Sequence, residues 1–387
     1  MQFDFLVLGG DGMQGSTISR FLLERGYGVY SADLFSQRLS KIVPQKTKPR
    51  FKFGIVNVEN ETETQELIHK IKPKVVINCT EGDANLKVYR ACLKEGKHVI
   101  DLGSDIPSTK KQLALNSEFK KNKLTAITGC GSTPGINNVM FRTIFPQFEE
   151  IQNIEIGFVW NSNSKSFVAP FSMGSVLYEL SEKALYFEEE KLKKIDPVKS
   201  VTYRKFPRIG KQKIFLIYHP EIFTFYRFCK KNGKPPKNIH FYGGFPKHSL
   251  DVLDTLKSLG FNCNEKAIQI EDREIYPTDV LTQMLKKKKI PKFYKERERL
   301  WVTVSGKNKK GELLVEMACV VNSLPGWEKA GCNIDTAFPA AIIAEMILDG
   351  RIVNRGSFTP EEVVAPEPFF AELKKYGIKI YQNRILH

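Results

Sequence analysis

The sequence predicts an α/β protein: a doubly wound parallel sheet domain joined to an α+β domain. Three observations predict it. Strand-like and helix-like segments alternate for about 135 residues from the N-terminus. A glycine-rich turn sits at the first strand-to-helix junction, and from Ile151 onward the strands become longer, more alternating and richer in aromatics.

Phe5-Leu6-Val7-Leu8 is an apolar run short enough for a buried parallel strand, and it leads into Gly10-Asp11-Gly12-Met13-Gln14-Gly15, a G-x-G-x-x-G. Ile18, Phe21, Leu22 and Leu23 recur at helical spacing, which places the glycines at a helix N-terminus. There Gly10 is expected to permit the tight turn, Gly12 to let backbone approach a pyrophosphate, and Gly15 to let the helix pack on the sheet. The unpaired N–H groups and positive dipole end of the helix then face the anion. A second strand, Tyr27 to Ala32, closes on Asp33, where a carboxylate can accept both ribose hydroxyls of an adenosine. Gly10 to Gly15 and Asp33 are therefore assigned to a dinucleotide, and the domain to the Rossmann type. Asp33 favours NAD because a carboxylate repels a 2′-phosphate; Arg38, five residues on, leaves NADP open.

Phe51 to Val58 reads as a third strand whose end, Asn57-Val58, falls where backbone approaches the adenine. A helix from Thr62 to Ile71 precedes the strand Lys74 to Thr80, and Thr80 and Glu81 lie where the nicotinamide ribose and pyrophosphate pass, or else form a polar loop. A helix, Asn85 to Glu95, leads to the strand His98 to Gly103 with Asp101 near its end and Asp105 in the next loop. Either acid can meet the nicotinamide or a substrate amine, or simply cap the following helix, Ser108 to Lys121. Leu124 to Thr128 then exits into Gly129-Cys130-Gly131, expected to face the nicotinamide through backbone contacts rather than a thiolate.

Beyond lie strands at Ile154 to Trp160, Val201 to Phe206, Lys213 to Tyr218, Ile239 to Phe245, Leu300 to Ser305 and Glu312 to Val321. Helices are expected at Met173 to Lys183, Ser249 to Leu259 and Pro277 to Lys287. His219 and Glu221 follow a strand end and His248 follows Pro246. A histidine suits proton management near neutral pH, although a satisfied core or surface histidine is the plain alternative for each. Arg204 and Lys247 are candidates to hold substrate carboxylates. Ala337 to Gly350 is a strongly apolar helix whose alanines imply close packing, and the tail from Pro360 adds a short helix and a last strand.

Composition bounds the rest. At 387 residues, 42% hydrophobic and 26% charged, the chain reads as a two-domain globular protein without an apolar run to span a bilayer. With no leader-like segment before the first strand, a cytoplasmic address and no membrane partner are expected. Seven scattered cysteines, with no C-x-x-C, predict reduced thiols and no metal. The net charge of +16 is partly local, in the run from Lys286 to Arg299, which has few interleaved aromatics and no recognisable nucleic-acid module. It reads as a solvated face, and no nucleic acid is expected, a redox-inactive dinucleotide- or nucleic-acid-binding protein being the alternative of another class.

Several segments together resemble the saccharopine dehydrogenase-like oxidoreductases, which include saccharopine reductase, lysine 6-dehydrogenase and carboxynorspermidine dehydrogenase. They are the fingerprint Gly10 to Gly15, the loop Gly129 to Met140 with its G-x-x-P-G-like Pro134-Gly135, Pro170 to Leu180, Tyr218 to Phe225, Tyr242 to Phe261, Phe338 to Ile352 and Arg355 to Glu362. The resemblance implies NAD(P)-dependent hydride transfer at a C–N bond of an amino acid or secondary amine of the saccharopine type. Lysine 6-dehydrogenase-like deamination and carboxynorspermidine dehydrogenase-like activity remain alternatives. It also implies that the alanine-rich helix returns to the dinucleotide domain. The expected domains are 1–141 with about 334–354 for the dinucleotide, 142–333 for substrate and dimerisation, and 355–387 as a tail packed on the body. A homodimer is expected, with substrate between the domains. The site is Gly10 to Gly15, Asp33, Asn57, Val58, Thr80, Glu81, Gly129 and Cys130 for cofactor, with Asp101, Asp105, His219 and His248 as catalytic candidates.

Overall fold

The computed structural model describes residues 2–34, 45–103, 105–169, 171–262, 267–288 and 291–386; Arg38 and Cys263 lie outside them. In chain order the first elements are β1 (Phe5–Leu8), α1 (Met13–Glu24), β2 (Val29–Asp33), β3 (Phe51–Ile55), α2 (Glu61–Ile71), β4 (Val75–Asn78) and α3 (Ala84–Lys94). β5 (His98–Asp101), α4 (Ile106–Ala114), α5 (Asn116–Lys121), β6 (Thr125–Ile127) and α6 (Ile136–Ile144) complete that run. Next come β7 (Glu150–Ser162), α7 (Met173–Ser181), β8 (Ala184–Glu188), β9 (Lys191–Ile195), β10 (Thr202–Phe206), β11 (Gly210–Leu216), α8 (Glu221–Lys231) and β12 (Asn238–Gly244). They are followed by α9 (Lys247–Ser258), β13 (Ile268–Ile270), β14 (Arg273–Ile275), α10 (Pro277–Lys287), β15 (Glu296–Asn308) and β16 (Gly311–Asn322). The chain ends with α11 (Ile334–Leu348), β17 (Gly356–Phe358), α12 (Pro360–Val363), α13 (Pro366–Lys375) and β18 (Lys379–Leu386).

The chain divides into two compact units. The first comprises 1–147, 223–231 and 333–380; the second comprises 148–222, 232–332 and 381–387.

The first unit holds a seven-stranded parallel sheet of order β17-β6-β5-β4-β1-β2-β3. Its inner strands are covered on both faces, which explains why β1 and β4 are continuous apolar runs rather than alternating ones. Leu6, Leu8, Val76, Val88, Tyr89 and Phe119 form its core. The strand order reverses between β1 and β4, and the crevice at a reversal of this kind is where doubly wound sheets take their ligands. α11 packs on α1, β4 and β5, with Phe338 stacked on Phe21 at 4.4 Å. Only packing on several sides lets a helix be apolar all round. By length and composition the segment Gly331–Leu348 would suit a bilayer, so the expectation that no such run exists is corrected; most of it is buried inside the protein, as a core helix is.

Several boundaries differ from the sequence reading. β3 stops at Ile55, so Asn57 and Val58 lie in the turn beyond it. The helix expected from Ser108 to Lys121 is two helices, α4 and α5, divided at Leu115. Residues after His219, expected at a strand end, instead start α8 at Glu221.

The second unit is built on a nine-stranded sheet of order β10-β11-β12-β7-β15-β16-β18, with β8 and β9 attached beside β12. β12 runs parallel to β7 while β11, β15 and β16 pair antiparallel, so the sheet is mixed. The hairpins β8–β9 and β13–β14 are strands that the sequence reading did not contain.

Candidate functional site

The glycine turn shows which close approaches it needs. Gly9, not Gly10, takes the left-handed conformation, with φ of 72°, and so makes the turn that was expected of Gly10. Gly10 serves the contact with β2 instead: a Cβ there would lie 1.9 Å from the Ser31 Oγ. A Cβ on Gly15 would lie 2.2 Å from the Gly9 carbonyl oxygen and 2.8 Å from the Gly10 Cα, so only glycine lets α1 seat on the turn. α1 starts at Met13, behind Gly12, with no side-chain cap. Its first N–H groups therefore have no partner within the helix, which is the donor set a pyrophosphate takes. The Met13 side chain is exposed, and Gln14 turns the other way, its Nε2 donating to Asn333 Oδ1 at 2.9 Å at the start of α11.

Asp33 ends β2 beside this turn, accepting the Asp11 N–H at 2.8 Å and the Leu34 N–H at 2.7 Å. Its carboxylate is thus held against the glycine turn, where an adenosine ribose would meet it. Asn57 is engaged locally: its N–H donates to Glu63 Oε1 and its Oδ1 accepts the Glu59 N–H. Asn57 and Val58 form a self-satisfied turn, and the expected backbone approach to adenine loses the Asn57 donor. At the end of β4, Thr80 donates from both N and Oγ1 to Asn78 Oδ1, at 3.2 and 2.7 Å, and Asn85 takes the Asn78 amide. Glu81 is exposed next to it.

Asp101 is fully buried at the end of β5. Its carboxylate accepts the N–H of Gly103 at 2.8 Å and of Gly129 at 2.9 Å, the Thr128 hydroxyl at 3.1 Å and the Gln112 amide. Burial pushes this carboxyl up, against the pull of Gly129, Tyr89, Gly103 and Gln112. A carboxylate so surrounded braces two loops and is closed to a substrate amine, which corrects the catalytic expectation. Asp105 caps α4, accepting the Ser108 N–H at 2.6 Å, so the plainer of its two sequence readings is the observed one.

The loop after β6 is shaped by glycines and by Pro134, whose peptide bond to Thr133 is cis. A Cβ on Gly129 would meet Pro134 Cγ at 2.7 Å. The N–H groups of Gly129 and Cys130 are both taken by Asp101, the Cys130 N–H donating to its carbonyl at 2.8 Å, so the expected backbone contacts from this turn cannot use these two donors. The Cys130 thiol faces inward to the Ile127 carbonyl, and burial, with Asp101 adding to it, holds its pKa well above the ordinary value. It is no nucleophile. Ser132 reaches Thr336 on α11 at 3.0 Å between hydroxyl oxygens. The C-terminal ends of β1, β2, β4, β5 and β6 and the N-terminus of α11 thus gather at one end of the first unit. The glycine cradle and the open start of α1 fit a dinucleotide.

In the second unit His219 and Glu221 are buried and paired, His219 Nδ1 on Glu221 Oε2. The ring stacks on Phe241 at 3.9 Å and 9°. Burial works against a charged imidazole, but the Glu221 carboxylate, with Glu179 adding to it, carries the His219 pKa above its ordinary value. His248, the second residue of α9, has its pKa lowered by burial, and its Nε2 is buried without a hydrogen-bond partner. Arg204 is ion-paired to Glu316 at 2.7 Å and Glu155 at 3.3 Å, and Lys247 to Asp251 at 2.7 Å. Neither is a cation kept for a substrate carboxylate, which corrects that expectation. Among the described residues no group of three His, Cys, Asp or Glu could hold a metal. The sequence reading missed Glu179, Gln112 and the Gln14–Asn333 contact; none has a local signal, since each partner lies on another element.

Comparison with known proteins bears on this geometry. The family model described as the saccharopine dehydrogenase NADP binding domain matches residues 5–127, and that of the saccharopine dehydrogenase C-terminal domain matches 126–378. A carboxyaminopropylagmatine dehydrogenase of Synechocystis is 24% identical over 348 residues, covering 85% of this chain and 84% of the relative. A carboxynorspermidine synthase of Vibrio cholerae is 23% identical over 341 residues, covering 84% and 80%. Among solved structures, the apo saccharopine dehydrogenase (L-Glu forming) of Saccharomyces cerevisiae superposes with a TM-score of 0.74 at 13% identity, covering 99% of this chain and 100% of the other. The homospermidine synthase of Legionella pneumophila in complex with NAD does so with 0.70 at 14%, covering 99% and 92%. These two likenesses are of fold.

Proposed function

The chain belongs to the saccharopine dehydrogenase family, and from that premise we propose that its substrate is a secondary amine bearing one carboxylate and a cationic amine chain, a carboxylated polyamine. The protein is an NAD(P)-dependent oxidoreductase acting at a C–N bond. When bound, the nicotinamide supplies or accepts the hydride. The start of α1 would hold the pyrophosphate and Asp33 the adenosine ribose.

The observation that carries the substrate reading is the engagement of Arg204, the candidate for further carboxylates, by Glu316 and Glu155. With that cation engaged, a substrate bearing a single carboxylate fits better than one bearing several. Both sequence relatives are named for carboxylated polyamine-type compounds, which supports the same class. We assign His219 the proton: with Nδ1 held by Glu221, Nε2 is the atom left to give or take it.

The test is oxidation of carboxynorspermidine, carboxyaminopropylagmatine, saccharopine and lysine with NAD+ and with NADP+, the products identified by mass spectrometry. Turnover of one of the first two well above the others supports the reading. Preference for saccharopine, or ammonium release from lysine, overturns it.

A further inference from the structure

The segment Arg355 to Glu362 is part of the family resemblance, yet nothing in the function so far uses it. Its last two residues are both glutamates, and they differ in surroundings. Glu362 caps α12 by accepting the Thr359 N–H, and it pairs with Arg227 at 2.9 Å and Lys231 at 3.1 Å, both on α8. Glu361 is fully buried. Its Oε2 accepts the Asn138 Nδ2 at 2.7 Å, and the Asn138 Oδ1 in turn accepts the Gly135 N–H at 2.7 Å. Gly135 closes the loop that follows β6: its φ is 138°, and a Cβ there would lie 1.8 Å from the Gly131 carbonyl oxygen.

A side-chain amide can present either end to a neighbour, and only its partners decide which. The Gly135 N–H can only donate and a carboxylate can only accept, so the two together allow Asn138 one orientation. We propose that Glu361 is a positioning residue for the Gly129–Gly135 loop at the cofactor end of the sheet, acting through Asn138 to keep an acceptor on the Gly135 N–H. The inference rests on the assignment of that end to NAD(P) and not on the identity of the substrate.

The same chain of contacts makes the loop sensitive to protonation. A protonated Glu361 can donate as well as accept, and the Gly135 N–H alone then sets the Asn138 orientation. Burial, reinforced by the neighbouring Glu362 carboxylate, pushes the Glu361 carboxyl up to about 7. The other charged groups around it are Arg142 on α6, whose guanidinium donates to the Glu361 carbonyl at 3.0 Å, and Arg227 and Lys231, both drawn to Glu362. Glu367 at the start of α13 acts on Arg142.

The test reads cofactor affinity and the amide itself. In wild type the Asn138 side-chain amide resonances should move with pH near neutrality, and the Kd for NADH and NADPH, followed by nucleotide fluorescence, should rise severalfold as pH falls through that range. Glu361→Leu, which leaves the Asn138 Nδ2 without an acceptor, should weaken binding about fivefold at about pH 8, the loss of roughly one hydrogen bond, and flatten the pH dependence. The double variant Asn138→Asp with Glu361→Gln reverses donor and acceptor while keeping an acceptor on Gly135; it should return Kd to within about twofold of wild type, the exchanged bond being of similar strength. Far-UV circular dichroism checks that each variant folds, and the wild-type titration stands without any variant. A wild-type amide that does not titrate, a Kd unchanged in Glu361→Leu, or a double variant no better than Glu361→Leu overturns the proposal. Failure of wild type to bind either nucleotide would instead strike the cofactor assignment.

Discussion

Arg25 to Met should unfold the first unit far more readily than its position near the surface suggests. The guanidinium forks onto Glu345, Nε to Oε1 at 2.6 Å and Nη2 to Oε2 at 2.7 Å, and also reaches the Tyr376 hydroxyl at 3.0 Å and Glu372 at 3.2 Å. The Glu345 side chain is wholly inaccessible and lies near the C-terminal end of α11, while Arg25 ends α1, so the fork ties the apolar helix to the helix of the glycine turn. Burial pushes the Glu345 carboxyl up and Arg25 pulls it back. Removing the cation leaves a buried carboxylate with no compensating charge, a loss of about 3–5 kcal/mol, whereas replacing both partners by methionine should come out near neutral. Without Arg25 the Glu345 carboxyl rises further, so the unfolded chain ionises it more readily than the folded one. The deficit of Arg25→Met must then grow as pH rises above the ordinary glutamate range and shrink towards about pH 5. Urea unfolding by circular dichroism at about pH 5 and pH 8 measures both effects. A single variant costing under about 1 kcal/mol, or a double variant as unstable as the single one, would refute the reasoning.

Three other expectations follow from the site. Gly15→Ala brings a Cβ against the Gly9 carbonyl and the Gly10 Cα. Backbone cannot yield there, so NADH and NADPH binding by fluorescence titration should weaken by about tenfold or more, roughly 1.4 kcal/mol, with the circular dichroism spectrum kept. Because Glu221 holds the His219 pKa above its ordinary value, the pair's contribution to stability is fully present below about pH 6.5 and is lost as pH rises through the raised value. Glu221→Gln should remove that slope from a series of melting temperatures against pH; a slope equal to wild type would count against the pairing. Cys130→Ala should keep kcat/KM within about twofold and cost on the order of 1 kcal/mol of stability for the lost buried sulfur, measured by steady-state rates and urea unfolding.

The parallel sheet and the glycine turn were legible because each signal is local: an apolar run, a glycine spacing and a helical period all lie within about 25 residues of one another. The alanines of α11 were legible as close packing for the same reason. Asp101 was misread because the sequence shows only where a strand ends. That its carboxylate is consumed by Gly103, Thr128, Gly129 and Gln112 depends on how β5, β6 and α4 come together. Gly10 was given the work of Gly9 because a G-x-G-x-x-G pattern fixes spacing and not φ. In the second unit the parallel pairing of β12 with β7 gives no sign in either strand, since alternation reports only that one face is covered.

The candidate site residues divide by the same logic. Asp101, Asp105 and Cys130 sit at strand ends or loop starts in a sheet whose geometry demands braces and caps, and polar groups there are consumed by the backbone that turns around them. His219 is different, because its partners are side chains: Glu221 on its Nδ1, Glu179 acting at longer range and Phe241 beneath the ring. A buried imidazole held at Nδ1 by a carboxylate is not spent on turning backbone as Asp101 and Asp105 are, and on that difference the proton role proposed for it rests. The difference between those two situations is a list of partners, and partners separated by 40 residues, as Glu179 and His219 are, become visible only when the sheet between them has formed.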